Sequence, residues 1–314
     1  MSKELVAESD SKTERRFPSS VDFMLLGTCN LKCSFCFGPQ HEIPAMQADV
    51  AIGIINELAS NGVERVIFTG GEPTLIKDLP AILQAAKSRD LTTVLSTNGM
   101  LMASNDELLH DIASNLDWIA LPLEADTPEV NAKMRIGFTP DAGLKQFEDV
   151  LSLIPKIRER YPGLGIKLGT VVAQPNLNNI AGIPDLLASR NAIPDTWKLY
   201  QISPSEYGKI NYASLQVSDE EFERVYKEAE KRALRVGVPN VTKYTNQERP
   251  GKYLFINPRG DVLIVHPESN DYYPVGNIIA NFNEVANNWG VYVRNDILTA
   301  NFDTTYPRSR KAQD

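Results

Sequence analysis

The chain has 314 residues, of which 42% are hydrophobic and 23% charged, with a formal net charge of −8. This composition is that of a globular protein with ample material for a core. Its negative balance argues against sequence-independent binding to DNA or RNA, which relies on Lys and Arg neutralising phosphates, although a local basic pocket stays open. No apolar run approaches the roughly 18 residues that span a bilayer, and the first twenty residues carry no apolar signal core. No membrane partner and a cytoplasmic location are therefore expected.

Residues 1–17 read as a flexible polar tail, and the core domain is expected over 18–240. Within it, short apolar segments rich in β-branched and aromatic residues predict six strands: Val21–Leu26, Glu64–Thr69, Leu91–Thr97, Asp117–Leu123, Gly165–Val172 and Trp197–Ile202. Helical patterns lie between them. Ala48–Ser60 places Ile54, Ile55 and Leu58 on one face. Ser218–Val236 opens with Ser218 and Glu221 in capping-box spacing, then repeats Phe222, Val225, Tyr226, Ala229 and Ala233. Such alternation predicts a parallel α/β sheet with right-handed crossovers, curled into a partial barrel or left open. We expect the partial (β/α)6 TIM-like barrel with a small C-terminal β-hairpin extension. Residues 241–302 form that extension: Tyr253–Asn257 and Val262–Val265 flank the turn-forming Pro258–Asp261, and Tyr272–Trp289 follows with little periodicity. Residues 303–314 read as a second flexible tail.

All three cysteines lie between positions 29 and 36, in a C-x3-C-x2-C pattern at Cys29, Cys33 and Cys36, directly after the first predicted strand. An odd, clustered set with no signal peptide points to a metal or redox site rather than disulfides. Thiolates are soft ligands that suit iron–sulfur clusters and zinc. Three of them in one short loop can grip three corners of a cubane and leave one iron open. A zinc-stabilised, non-enzymatic binding module would want a fourth ligand, which His41 could supply. Three inert buried thiols are the third reading. An iron–sulfur electron carrier normally supplies four protein ligands, which a three-cysteine chain lacks.

The pattern resembles the radical S-adenosyl-L-methionine (SAM) superfamily, and the resemblance runs in order over residues 21–202. Phe35 sits between the second and third cysteines. Thr69-Gly70-Gly71-Glu72-Pro73 follows the second strand and matches the family's GGEP stretch. Ser96-Thr97-Asn98-Gly99 follows the third and matches its STNG motif. The resemblance implies a single [4Fe–4S] cluster on the three cysteines, with SAM chelating the open iron. It implies that Gly70, Gly71, Glu72 and Pro73 hold the methionyl amine, and that Ser96, Thr97 and Asn98 lie near the ribose and carboxylate. A Ser-Leu-Asp run in the family corresponds to Pro122-Leu123-Glu124 here, with Arg135 downstream: the charge types persist and the hydroxyl is lost. Glu124 and Arg135 are expected to contact SAM. A flavodoxin or ferredoxin is the implied electron donor. No cysteine follows Cys36, so an auxiliary Cys-ligated cluster is excluded.

Strand alternation sorts inward from outward residues. Ile166, Leu168, Trp197 and Leu199 should face the helices, leaving Lys167, Gly169, Lys198, Tyr200 and Glu124 inward. Lys167, Lys198 and Tyr200 are therefore candidates for contact with a small-molecule substrate. Two inward lysines are costly unless paired or bound to an anion. One reading pairs a lysine with Glu124 and lets the other reach solvent; the other assigns both to an anionic substrate group. The hydroxyl-rich Ser203–Lys209 segment reads either as a wall of the substrate mouth or as a surface loop. Within the superfamily, Cys33–Phe37, Trp197–Gln201 and Ser218–Phe222 resemble the viperin-like nucleotide dehydratases, and the layout is also similar to natural-product enzymes acting on nucleosides and sugars, such as cytosylglucuronate decarboxylases. Val21–Thr28 lacks the Asn-Phe-His-like start of the viperins. The expected function is reductive SAM cleavage to a 5′-deoxyadenosyl radical, which takes hydrogen from a nucleotide, nucleoside or sugar acid. Peptide or RNA modification is the alternative.

Overall fold

A computed structural model describes residues 17–36, 43–203, 207–249, 254–265 and 272–292, with backbone alone at 207–210 and 290–292. His41, Phe37, Tyr253, residues 204–206 of the hydroxyl-rich segment, and nearly all of both expected tails lie outside the described residues. Among the described residues ten strands form one sheet: β1 (Ser20–Met24), β2 (Arg65–Thr69), β3 (Thr92–Ser96), β4 (Trp118–Pro122), β5 (Gly165–Val172), β6 (Thr196–Gln201), β7 (Val241–Tyr244), β8 (Leu254–Ile256), β9 (Asp261–Val265) and β10 (Tyr272–Asn277). Their order is β10-β9-β8-β1-β2-β3-β4-β5-β6-β7. Strands β1 to β7 are successive parallel neighbours, and β8 pairs parallel with β1. Strands β8–β9 and β9–β10 are antiparallel. The sheet is open, with β7 and β10 at its edges.

Among the described residues ten helices connect and cover it: α1 (Ala48–Ser60), α2 (Leu79–Lys87), α3 (Met100–Ser104), α4 (Asp106–Ala113), α5 (Pro128–Met134), α6 (Ala142–Arg160), α7 (Ile183–Ser189), α8 (Tyr207–Leu215), α9 (Asp219–Arg235) and α10 (Phe282–Tyr292). The expected capping box starts α9: Glu221 N donates to Ser218 Oγ at 3.1 Å, and Ser218 N to Glu221 Oε2 at 2.8 Å. Phe222, Val225, Ala229 and Ala233 are the buried face of that helix. Among the described residues no helix is long and apolar enough to cross a membrane.

Three features differ from the sequence reading. A seventh parallel strand, β7, follows α9; only four residues long and mostly half-buried, it carries no clear period. The hairpin β8–β9 joins the main sheet beside β1. The aperiodic Tyr272–Trp289 stretch divides into β10 and α10, and Phe17, at the end of the expected tail, is buried with its ring centroid 4.9 Å from that of Phe282.

Alternation holds on the inner strands. Ile166, Leu168, Trp197 and Leu199 are buried in the main core, and Trp197 Nε1 donates to Thr170 Oγ1 at 2.9 Å. Helices α5 and α6 approach closely because Gly143 has no side chain: a Cβ there would stand 2.4 Å from the Arg135 carbonyl oxygen and 2.7 Å from Ala132 Cα. Both neighbours are backbone and cannot swing aside. We expect Gly143→Ala to lower stability by about 2 kcal/mol or more, measured by chemical denaturation; an unchanged midpoint would show that the helix pair yields freely.

Candidate active site

Successive parallel strands end at one edge of the sheet, where the backbone runs out of partners and loops can converge on a ligand. A cavity of about 330 Å³ lies there, within the size range of small-molecule sites. Its lining gathers residues from the ends of all seven parallel strands, including Cys29, Cys33 and Cys36 after β1, Gly70, Gly71 and Glu72 after β2, Thr97 and Asn98 after β3, and Glu124 after β4. Ser96, at the end of β3, also lines it.

The cysteine loop is pinned to the segment that follows α5. Leu31 bridges to Gly137, and Lys32 N donates to the Ile136 carbonyl at 2.8 Å, fixing the loop against the segment after α5. None of the three thiols is in a disulfide, and all three line the cavity. Leu31 N donates to Cys29 Sγ at 3.3 Å. Burial pushes the Cys29 thiol up to about 11 and raises that of Cys33, with the Arg135 guanidinium acting in the opposite sense. A soft metal supplies the positive charge that lets such buried sulfurs ionise, so metal loading must release protons. Among the described residues no three His, Cys, Asp or Glu side chains close around a point that would hold a single ion. Three thiols spread over one cavity wall fit the donor set of a cube with one open corner.

Glu72 joins the two motifs that follow β2 and β3. Its carboxylate is fully buried and accepts from Thr74 N (3.1 Å), Thr74 Oγ1 (2.6 Å) and Thr97 Oγ1 (2.6 Å) on Oε1, and from Asn98 N (2.7 Å) on Oε2. Burial raises its pKa, while the donated hydrogen bonds pull it back. Pro73 is buried at the start of the following short turn. Asn98 carries the network onward: its Nδ2 donates to Asn30 Oδ1 at 2.6 Å, inside the cysteine loop, and its Oδ1 accepts from Met100 N at 3.0 Å.

The two glycines pack against the backbone that leads into the cysteine loop. A Cβ at Gly71 would lie 2.0 Å from the Thr28 carbonyl oxygen, and one at Gly70, which has φ +146°, 2.5 Å from that of Leu26. Gly71 N donates to Leu26 O at 2.8 Å and Glu72 N to Thr28 O at 2.9 Å. The backbone entering the cysteine loop leaves no room for a side chain at either position.

Glu124 is buried, and Arg135 is its partner: Nε and Nη2 donate to Oε1 at 3.0 and 2.5 Å, while Oε2 accepts from Val171 N at 2.7 Å. Burial raises the carboxyl pKa and the guanidinium opposes that; the same carboxylate, with the nearby thiols, drives the Arg135 pKa upward. Arg135 stacks over Phe35 at 5.0 Å and its Nη1 lies 4.0 Å from Cys33 Sγ. The reading that paired a lysine with Glu124 is therefore corrected. Pro122 ends β4 opposite Gly169, with its carbonyl accepting from Gln146 Nε2 at 3.1 Å.

Lys167 lines the cavity with Tyr200 and is 6% exposed; its ammonium lies 5.3 Å from the Tyr200 ring centroid. Lys198, 7% exposed, does not line the cavity and is not solvent-reaching. Its ammonium sits 5.4 and 5.1 Å from the rings of Tyr200 and Tyr244, which do.

Sequence reasoning missed several participants. Asn30, between the first two cysteines, was visible only as motif filler. Asn131 accepts from Glu124 N at 2.9 Å and donates to Gln146 Oε1 at 2.9 Å, a buried polar chain that no spacing announces. Arg249 and Ser203 line the cavity from beyond the last predicted core strand.

The family profile described as the Radical SAM superfamily matches residues 24–179. A protein of Lacinutrix mariniflava named S-adenosylmethionine-dependent nucleotide dehydratase is 32% identical over 252 residues, 77% of this chain; the chain spans about half, 49%, of that relative's length. A Flammeovirga pacifica protein of the same name is 29% identical over 77% of this chain and 80% of its own. The crystal structure of Streptococcus suis SuiB bound to S-adenosylmethionine shares the fold with TM-score 0.65, 18% identity and coverage of 90% of this chain and 67% of that one. With the three-cysteine loop and the two following motifs in order, the family match and these relatives show that the chain belongs to the radical SAM superfamily, whose enzymes use a [4Fe–4S] cluster and SAM.

Proposed function

We propose that the protein abstracts hydrogen from an anionic, nucleotide-like small molecule, with a flavodoxin or ferredoxin as reductant. The observation that carries this reading is the two-sided cavity: three thiols and the glycine turn on one side, Lys167 and the faces of Tyr200 and Tyr244 on the other. The name borne by the Lacinutrix and Flammeovirga relatives supports the nucleotide class. The cluster and SAM, when bound, supply the 5′-deoxyadenosyl radical.

The chain's own residues would do the following. Cys29, Cys33 and Cys36 hold the cluster. The turns Gly70–Pro73 and Ser96–Asn98 cradle SAM, with Glu72 setting their separation rather than reaching the methionyl amine, because its carboxylate already accepts four hydrogen bonds. Glu124 and Arg135 form one edge of that cradle. Lys167 receives a phosphate or carboxylate of the substrate, Lys198 adds positive charge from beside the Tyr200 and Tyr244 rings, and those aromatic faces suit a planar base. Buried positive charge draws an anion inward despite the protein's net negative charge.

Anaerobic reconstitution should load about four irons per chain, and Cys33→Ala should abolish SAM cleavage under dithionite; full cleavage by that variant would overturn the ligand assignment. Glu72→Ala strands four buried donors, so we expect a loss of about 3 kcal/mol or more in stability together with weakened SAM binding, read by denaturation and equilibrium dialysis. Normal SAM affinity would remove Glu72 from the cradle.

The substrate reading is tested by incubating the reconstituted enzyme with SAM and a panel of deuterated nucleotides and following deuterium into 5′-deoxyadenosine. Lys167→Met and Lys198→Met should each lower substrate-dependent 5′-deoxyadenosine formation at least roughly tenfold, while slow uncoupled SAM cleavage persists. Normal turnover by both variants would assign the lysines a structural role only.

A further inference from the structure

The cysteine loop has an outer side as well as an inner one. Cys29, Leu31, Cys33 and Phe35 line the cavity, whereas Lys32, between two of them, does not line it and is exposed. Its ammonium stands 5.3 Å from the ring centroid of Phe138. Phe138 is 63% exposed, the most of any large apolar side chain among the described residues, and Ile136 beside it is exposed too. Single exposed apolar residues are common on protein surfaces. An exposed aromatic ring capped by a cation, next to the loop that carries the thiols, has the composition of a contact surface.

This surface is held firmly. Lys32 N donates to the Ile136 carbonyl, and Leu31 bridges to Gly137. Gly137 packs so closely that a Cβ there would lie 2.1 Å from Ala142 Cβ at the start of α6. From α8, Asn211 Nδ2 donates to the Ser34 carbonyl at 2.9 Å and fastens the same loop. A partner would therefore meet a preformed surface and pay little to order it.

Charge gives that partner a sign. The chain as a whole carries −8, but Lys32 is the one charged residue in the sequence from Thr28 to Cys36. In the adjoining 128–141 segment, Lys133 and Arg135 stand against Glu129 and Asp141, and Arg135 is committed to Glu124. An acidic protein is thus drawn to the cation beside the thiols and opposed by the net charge of the rest. Position gives the partner a task. Electron transfer between proteins falls steeply with distance, and Lys32 is joined by one peptide bond to Cys33.

We propose that Lys32, Ile136 and Phe138 form the docking surface for an acidic flavodoxin that reduces the cluster. The apolar edge of a flavin packs against the Phe138 ring and Ile136, while carboxylates around it meet Lys32. One electron leaves the reduced flavin and one enters the cluster; no bond forms or breaks and no proton crosses. Complexes of this kind are small and short-lived, so one aromatic anchor and one cation carry much of the affinity. The inference rests on the flavodoxin reading of the reductant and adds where that protein binds.

Anaerobic stopped-flow reduction of the reconstituted enzyme decides it, with dithionite and a fully reduced recombinant acidic flavodoxin as the two reductants. Phe138→Ser and Lys32→Gln should each slow flavodoxin-driven reduction at least about fivefold, and Lys32→Glu at least about tenfold. Reduction by dithionite, which needs no docking surface, should change by less than about twofold. Titration calorimetry with oxidised flavodoxin should show the same order of affinity loss. Raising salt from about 0.05 M to about 0.3 M should weaken the wild type more than Lys32→Gln. Flavodoxin-driven reduction at the wild-type rate in both Phe138→Ser and Lys32→Gln, or equal slowing with both reductants, would overturn the docking surface and leave the flavodoxin reading standing. If the wild-type cluster is reduced by dithionite but neither bound nor reduced by flavodoxin, the reductant reading fails and the docking surface falls with it.

Discussion

A buried carboxylate, that of Glu72, holds the site together. Its two oxygens accept four hydrogen bonds from residues that follow two different strands, so the turn after β2 and the turn after β3 cannot separate without stranding a charge in the core. Asn98 then passes the constraint to Asn30, within the cysteine loop, and Gly71 brings the first turn against the backbone that enters that loop. Three motifs distant in the chain become one rigid body. Their order along the sequence is the order of the strands, and hydrogen bonding fixes their spacing.

Much of this was legible before any coordinates, and the reason differs by element. The six strands were visible because a parallel strand covered on both faces must be apolar for five or more residues, and that run stands out. Helix α9 was visible because its cap and its buried stripe repeat the same start point. Strand β7 was not, since an edge strand of four residues needs to bury only one face and its sequence is correspondingly mixed. The place of Lys167 in the cavity wall followed from strand alternation, but the partner of Glu124 did not. Alternation says which way a side chain points and nothing about how far an arginine from the next helix can reach. The packing of the glycines was hidden for a similar reason: a Gly pair signals close approach without saying to what.

The polar chain through Asn131, Gln146 and Asn176 was invisible to any spacing argument. Asn131 accepts from the backbone of Glu124, Gln146 reaches the Pro122 carbonyl, and Asn176 donates to the carbonyls of Glu124 and Val171. Each satisfies a backbone group that strand β4 leaves open where it stops pairing, as buried amides must be satisfied. These amide side chains work as plugs at a strand end, and their positions depend on tertiary geometry.

The two faces of the cavity meet at Glu124. The strand ends of β1 to β3 carry the thiols and the turns proposed for the cluster and SAM; β5 to β7 carry the lysines, the tyrosines, Ser203 and Arg249. Strand β4 lies between them, and its carboxylate faces both ways. One oxygen holds Arg135, which stacks on Phe35 and approaches Cys33; the other accepts from Val171 on the strand that bears Lys167. A carboxylate with both oxygens committed cannot rotate toward one side without releasing the other. A shift of the substrate-side strand would therefore be felt at the arginine beside the cysteine loop, through two hydrogen bonds and no intervening solvent. An aspartate at this position would be one methylene shorter and could not keep both contacts without moving a strand. That gives a physical reason for the longer carboxylate at the place where the sequence departs from the pattern it otherwise resembles.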